Sequence, residues 1–295
     1  MYTVSLAGII ATTVTPFTED EDVDEKTFVE QVRYLVSTGV DGISVGGSTG
    51  EGAVLSDDEV GRLCQLAVQE VNGKIPVVAG VIRNSTREAI RTAEIAKSTG
   101  VDALMITPVH YHVNKPSDSG NFEFYQRIGE KLDLPIVVYN VVPHNLITPQ
   151  QLEKLAEIPQ IVAIKQSGGD IHGLAQMVKT CGERILVSSA VDDLLYPTYV
   201  IGAKGSIVAP SAIVPELLVQ QWTAFLNGDF TTAEEIHQRL LPVYQAIQGP
   251  NFQGKIKEAI RQLGRPAGRT RSPIQAPTDE EIEFIRNKLI EADVL

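Results

Sequence analysis

Cysteine is nearly absent: Cys64 and Cys181 are the only two in 295 residues. They show no CxxC or comparable spacing, so neither a disulfide framework nor a thiolate zinc site is expected. Both fall in helix-patterned segments and read as buried thiols. Long apolar runs are missing too. None approaches the roughly 20 residues that would span a bilayer, which argues against a membrane role. Positive charge is in deficit, with 25 Lys and Arg against 37 Asp and Glu, a net charge of −12. That balance disfavours nonspecific attraction to nucleic acid or anionic membrane and leaves small molecules as the expected partners. The opening MYTVSLAGIIATTVTPF has no basic segment ahead of its apolar residues. It reads as a first strand rather than a signal peptide, so a cytoplasmic location is expected.

What the sequence does contain is a repeated unit. Short Val- and Ile-rich runs recur, each followed by an amphipathic segment with a helix-start signal, the pattern of βα units around a parallel sheet. The runs are Gly8 to Val14, Gly42 to Gly46, Val77 to Val81, Ala103 to Thr107, Ile136 to Asn140, Val162 to Lys165, Ile185 to Ser188 and Gly205 to Val208. Ser56/Glu59, Ser85/Glu88 and Thr148/Gln151 supply capping signals, and Gly39 and Gly100 fit helix stops. The runs do not alternate in polarity, as expected of strands covered on both faces. Eight such units predict an α/β fold, a (β/α)8 TIM barrel, over residues 1–228. Residues 229–295 hold three helical patterns and no strand, a C-terminal helical extension with a polar break at PAGRTRSP. A doubly wound open sheet is the alternative. It lacks support, because no G-x-G-x-x-G follows the first strand.

In such a barrel the reactive residues stand at the C-terminal ends of the strands. Lys165 closes the apolar run Ile161-Val162-Ala163-Ile164 and directs an amine toward the barrel mouth. Removing an amine from water disfavours its charged form and supplies a nucleophile for a carbonyl carbon. The residues alone also allow a lysine that snorkels outward or pairs with an acid. Tyr139 ends the preceding strand, where its hydroxyl is placed to relay protons or simply to find a buried partner. Gly46-Gly47-Ser48-Thr49-Gly50-Glu51 is too rich in glycine for a strand end unless backbone approaches something closely, as at a carboxylate site, although a plain tight turn remains open. It is not a phosphate-binding P-loop, since Glu51 follows Gly50. His110 and His112 flank Tyr111 as an H-x-H pair. Spacing places no third ligand, so a rim loop is preferred over a metal site. Arg83 either leans over the mouth or caps the next helix.

These residues resemble those of the dihydrodipicolinate synthase and N-acetylneuraminate lyase superfamily over nearly the whole chain. The resemblance rests on Thr12-Thr13-Val14-Thr15-Pro16-Phe17, Gly46 to Glu51, Tyr139-Asn140, Ile164-Lys165, and the late Pro250-Asn251, Lys257 and Arg271-Ser272-Pro273. It implies a barrel with C-terminal helices, assembled as a homotetramer, with Lys165 as Schiff-base former. It further implies Tyr139 as proton relay with Thr49, and Ser48 and Thr49, beside Gly47, as the carboxylate-binding pair. No metal and no diffusible cofactor are then required.

Within that superfamily, Lys165-Gln166-Ser167-Gly168-Gly169-Asp170 and the acidic pair Asp192-Asp193 look like the lyase branch, with the acids placed for substrate hydroxyls. Ala190, Val191 and Ala209-Pro210 depart from it. From the synthase branch the chain departs after Tyr139-Asn140, where Val141-Val142-Pro143-His144-Asn145 contains no arginine to hold a second carboxylate. His144, Tyr111, Ile207 and Arg83 complete the expected substrate-binding set. The expected function is a Schiff-base-forming lyase acting on pyruvate or a small hydroxylated 2-oxo acid. The alternatives are a synthase joining pyruvate to aspartate semialdehyde, a non-catalytic 2-oxo-acid binder and a metal-dependent aldolase.

Overall fold

The computed structural model describes residues 5–111, 115–168 and 170–295. Eight parallel strands close into a barrel in sequential order. They are β1 (Gly8–Thr12), β2 (Gly42–Val45), β3 (Val77–Val81), β4 (Ala103–Ile106), β5 (Ile136–Asn140), β6 (Ile161–Gln166), β7 (Leu186–Ser189) and β8 (Gly205–Ser206). The ladder returns from β8 to β1 through Gly8 opposite Gly205, so no strand edge is left exposed. Strands β1, β2, β4 and β8 end one or two residues before the end of the apolar run. The trailing residues turn instead toward the mouth, as where Thr13 N–H donates to the Ser44 carbonyl.

Helices α1 (Glu25–Ser37), α2 (Asp57–Val71), α3 (Thr86–Ser98), α4 (Asp118–Leu132), α5 (Pro149–Leu155), α6 (Ile171–Cys181), α7 (Leu195–Ile201) and α8 (Pro215–Leu226) follow the strands in turn. The capping signals do what their chemistry predicts. Ser56 and Thr148 each form reciprocal capping boxes with Glu59 and Gln151, and Ser85 caps Glu88 N–H. After Thr38 and Thr99 the chain turns at Gly39 and Gly100, both at positive φ.

The core has two layers. Ile43, Val45, Val81, Ile106 and Val138 face the helices, whereas Ile10, Val78, Met105, Val137, Ala163 and Ile207 fill the barrel interior. Three more helices, α9 (Phe230–Ile247), α10 (Phe252–Gln262) and α11 (Asp279–Glu291), follow the barrel. Cys64 and Cys181 are buried and unpaired, and burial pushes the Cys64 thiol up to about 12, which leaves it unreactive.

Candidate active site

The register of three neighbouring strands sets the centre of the mouth. Tyr139 on β5, Lys165 on β6 and Ser188 on β7 stand opposite one another in the ladder. Parallel strands in register present such residues on the same face, side by side. Lys165 is 5% exposed, and its Nζ lies 3.9 Å from the centre of the Tyr139 ring. Among the described residues it forms no salt bridge, so the amine is held by packing rather than by a carboxylate.

The Tyr139 hydroxyl donates to Ser48 Oγ at 3.0 Å. This corrects the expectation that Thr49 is the relay partner. Thr49 is buried beside Ser48, but no hydrogen bond joins it to Tyr139 among the described residues. The turn carrying both is folded tightly on itself: Glu51 N–H donates to the Ser48 carbonyl at 3.1 Å and Gly52 N–H to the Gly47 carbonyl at 3.0 Å. A Cβ on Gly52 would lie 1.8 Å from the Gly46 carbonyl oxygen, and one on Gly80 of β3 2.3 Å from the same atom. Much of the glycine content therefore serves close backbone packing. The turn also leaves the Ser48 and Thr49 N–H groups without a backbone acceptor among the described residues, two donors available to an anion.

The turn is anchored from α10, by residues 200 positions away in the sequence. Gln253 Nε2 donates to the Ser48 carbonyl at 3.0 Å. Lys257 Nζ, 1% exposed as a side chain, pairs with Glu51 Oε1 at 2.6 Å and donates to the Thr15 and Arg269 carbonyls. Burial pulls the Lys257 ammonium down to about 8, with Glu51 opposing the shift. The other Glu51 oxygen accepts Arg271 N–H at 3.0 Å. Gln253 escaped sequence reasoning because nothing in its local pattern points to a turn so distant. Ser44 and Ser188 escaped it as well. Each has a buried hydroxyl without a partner among the described residues.

The remaining expected residues divide into several groups. Asp192 keeps some exposed surface, but its carboxyl is densely enclosed. Burial pushes it up to about 7, Asp193 adding to the shift and Lys165 opposing it, so Asp192 is electrostatically coupled to the lysine. Asp193 faces α9, where its charge acts on His237 and Tyr244. Ile207 is buried inside the barrel. His144 and His110 line a cavity of about 390 Å³ that reaches Ser48. A larger opening of about 950 Å³ beside residues 266–276 includes neither Lys165, Tyr139 nor Ser48. Tyr111 is 82% exposed and is not brought to the lysine within the chain. His112 lies outside the described residues, as does Gly169.

Arg83 is a correction. It does not lean over the mouth. Its guanidinium pairs with Asp57 at 3.1 Å and donates to the Leu55 and Ile82 carbonyls, each at 2.9 Å. Those bonds tie the end of β3 to the start of α2 and leave no fork free for a substrate carboxylate.

A sequential parallel barrel with polar groups gathered at the C-terminal ends of its strands is the architecture of a (β/α)8-barrel enzyme, with its chemistry at that mouth. The dihydrodipicolinate synthetase family model matches residues 5–292. A 4-hydroxy-tetrahydrodipicolinate synthase from Pelobacter propionicus is 36% identical over 269 residues, covering 90% of this chain and 92% of that protein. One from Methanopyrus kandleri is 33% identical over 288 residues, covering 96% and 95%. Among solved structures, YagE from E. coli K12, a prophage protein of the dihydrodipicolinic acid synthase family in complex with pyruvate, superposes with a TM-score of 0.94 at 26% identity, covering 98% of this chain and 99% of that one. The chain belongs to the dihydrodipicolinate synthetase family and is an enzyme of the pyruvate-dependent, class I aldolase type of lyase.

Proposed function

We propose that Lys165 forms a Schiff base with pyruvate or a small hydroxylated 2-oxo acid, and that the enzyme makes or breaks the bond between C3 and C4 of that acid. The observation that carries this reading is one juxtaposition: a buried amine packed on Tyr139, whose hydroxyl is held by Ser48 in a turn with unused N–H donors. The substrate carboxylate accepts from the Ser48 and Thr49 N–H groups. Lys165 Nζ attacks C2, and loss of water leaves an iminium. In the cleavage direction the C3–C4 bonding electrons flow into the iminium, and the C4 hydroxyl loses its proton as the aldehyde forms. The Tyr139–Ser48 pair is the route for that proton. Dehydration would start from the same iminium by loss of a C3 proton. Asp192, whose carboxyl is coupled electrostatically to Lys165, is the acid of the pair assigned to the substrate hydroxyls.

A synthase using aspartate semialdehyde draws support from the names of the relatives. Against it stand His144 where a guanidinium is required and Arg83 committed to Asp57. We further propose a catalytic unit over residues 1–228 supported by residues 229–295, a cytoplasmic location and a homotetramer. Unpaired Cys64 and Cys181 support the location. Exposed Val200, Leu226 and Phe230, bordering the Tyr199, Trp222 and Phe225 aromatic cluster, support self-association.

The decisive experiment is reductive trapping. Borohydride added with pyruvate is expected to leave one pyruvyl adduct per chain, on the peptide containing Lys165. An adduct on another lysine, or no adduct, overturns the reading.

A further inference from the structure

We propose that the cavity on the β2–β5 side of the mouth receives the aldehyde-derived end of the substrate, and that this end is an uncharged hydrocarbon group. The substrate class is then a 4-hydroxy-2-oxo acid bearing an alkyl or aryl group at C4. The inference rests on the Schiff-base reading above and narrows it.

The cavity, about 390 Å³, is lined by Ser48, the partner of Tyr139, and by Val141, two residues beyond Tyr139, although Lys165 and Tyr139 are not themselves in its wall. That volume is within the range of small-ligand sites. Its walls are mainly Val54, Ile82, Val141, Val142, Pro143 and Ile274, and among the described residues its lining contains no lysine or arginine. Several of the polar groups around it are already committed to partners. Arg83, the closest guanidinium in sequence, is locked onto Asp57 and backbone carbonyls. Gln253 gives its amide to the Ser48 carbonyl, and Glu51 is neutralised by Lys257.

His110 is a neutral imidazole for a geometric reason. Asn84 Oδ1 accepts the backbone N–H groups of His110 at 3.1 Å and Tyr111 at 2.9 Å, which fixes the orientation of its amide. Its NH₂ group therefore faces His110 Nε2 at 3.2 Å, so that nitrogen accepts and the ring proton sits on Nδ1. His110 Nδ1 and Thr107 Oγ1 are buried without a partner among the described residues, and both belong to uncharged groups. A carboxylate entering this space would lose its water and meet no fixed cation, a costly exchange. A hydrocarbon chain would meet matching walls at Val54, Ile82, Val141, Val142, Pro143 and Ile274, with His110 Nδ1 and Thr107 Oγ1 left to the C4 hydroxyl. His144 is exposed at the rim and makes no side-chain hydrogen bond among the described residues, so it can be replaced by a cation without breaking one.

In the condensation direction, C3 of the pyruvyl enamine bonds to the aldehyde carbon and the carbonyl oxygen takes up a proton as the C4 hydroxyl. Water then hydrolyses the iminium and releases the 4-hydroxy-2-oxo acid. No oxidant or reductant enters.

The test uses two aldehydes that differ only at the far end: butanal, ending in a methyl group, and succinic semialdehyde, ending in a carboxylate. Condensation of each with pyruvate is measured as kcat/KM on the full-length enzyme, after borohydride trapping has established the Lys165 adduct. Butanal is expected to exceed the semialdehyde by at least about tenfold, since an unpaired buried charge is strongly disfavoured. In His144→Arg the gap is expected to close by about tenfold, because a guanidinium at the rim supplies the missing partner. If the adduct forms but the wild type prefers the semialdehyde, or turns over neither aldehyde, this assignment is wrong while the Schiff-base reading stands. A gap unchanged in His144→Arg refutes the absent cation as its cause. Absence of the adduct overturns both.

Discussion

Removing one oxygen atom at Tyr139 separates its chemical role from its packing role, because phenylalanine keeps the ring that lies 3.9 Å from Lys165 Nζ. Tyr139→Phe is expected to lower kcat by roughly 10²- to 10⁴-fold with KM little changed, the range for a lost general acid or base. Turnover near that of the parent would make the hydroxyl a structural group tethered to Ser48. Asp192 offers a second test at this scale. Its carboxyl sits near 7 in the folded chain against an ordinary 3.8, so between those values the folded state binds more protons than the unfolded state. Its contribution to stability is full below about pH 4 and is lost as pH rises through about 7. Asp192→Asn is therefore expected to raise Tm relative to the parent by an amount that grows between about pH 5 and pH 8. A gap that stays constant with pH removes the carboxyl as its source. The placement of Lys165 and Tyr139 at adjacent strand ends was legible residue by residue because each closes an apolar run. Arg83 was not: whether a guanidinium faces a substrate or Asp57 depends on the path of the following loop.

The elements were more legible than the site. Non-alternating Val and Ile runs, capping boxes and glycine stops act locally, so eight strands and their helices could be read without knowledge of the tertiary structure. Strand ends shifted by a residue or two because Thr13 and Gly46 have backbone groups committed to the mouth or a positive φ of 70°. The short β8, two residues long, is an extreme case. What could not be read was the docking of α10, which brings Gln253 and Lys257 to the turn after β2. That docking predicts a particular stability pattern. Lys257→Met leaves Glu51 buried with the Arg271 N–H as the one remaining partner of its carboxylate among the described residues, and is expected to cost about 3–5 kcal/mol in urea unfolding. Adding Glu51→Gln should recover a large part of the loss. If the single and double variants are equally unstable, the ion pair is incidental to how α10 seats.

At the scale of the whole molecule the barrel is a self-contained ring, closed by Gly8 against Gly205. Its mouth is not self-contained. The carbonyl of Ser48 and the carboxylate of Glu51 are both finished by a helix that starts at Phe252, beyond the last strand. During synthesis, then, all eight strands leave the ribosome before the groups that seat the Ser48–Thr49 turn. A chain ending just after α8 would carry an acid at position 51 without the Lys257 ammonium and the Arg271 N–H that meet it in the complete molecule. The groups that seat the carboxylate-binding turn are thus the last part of the site to be synthesised.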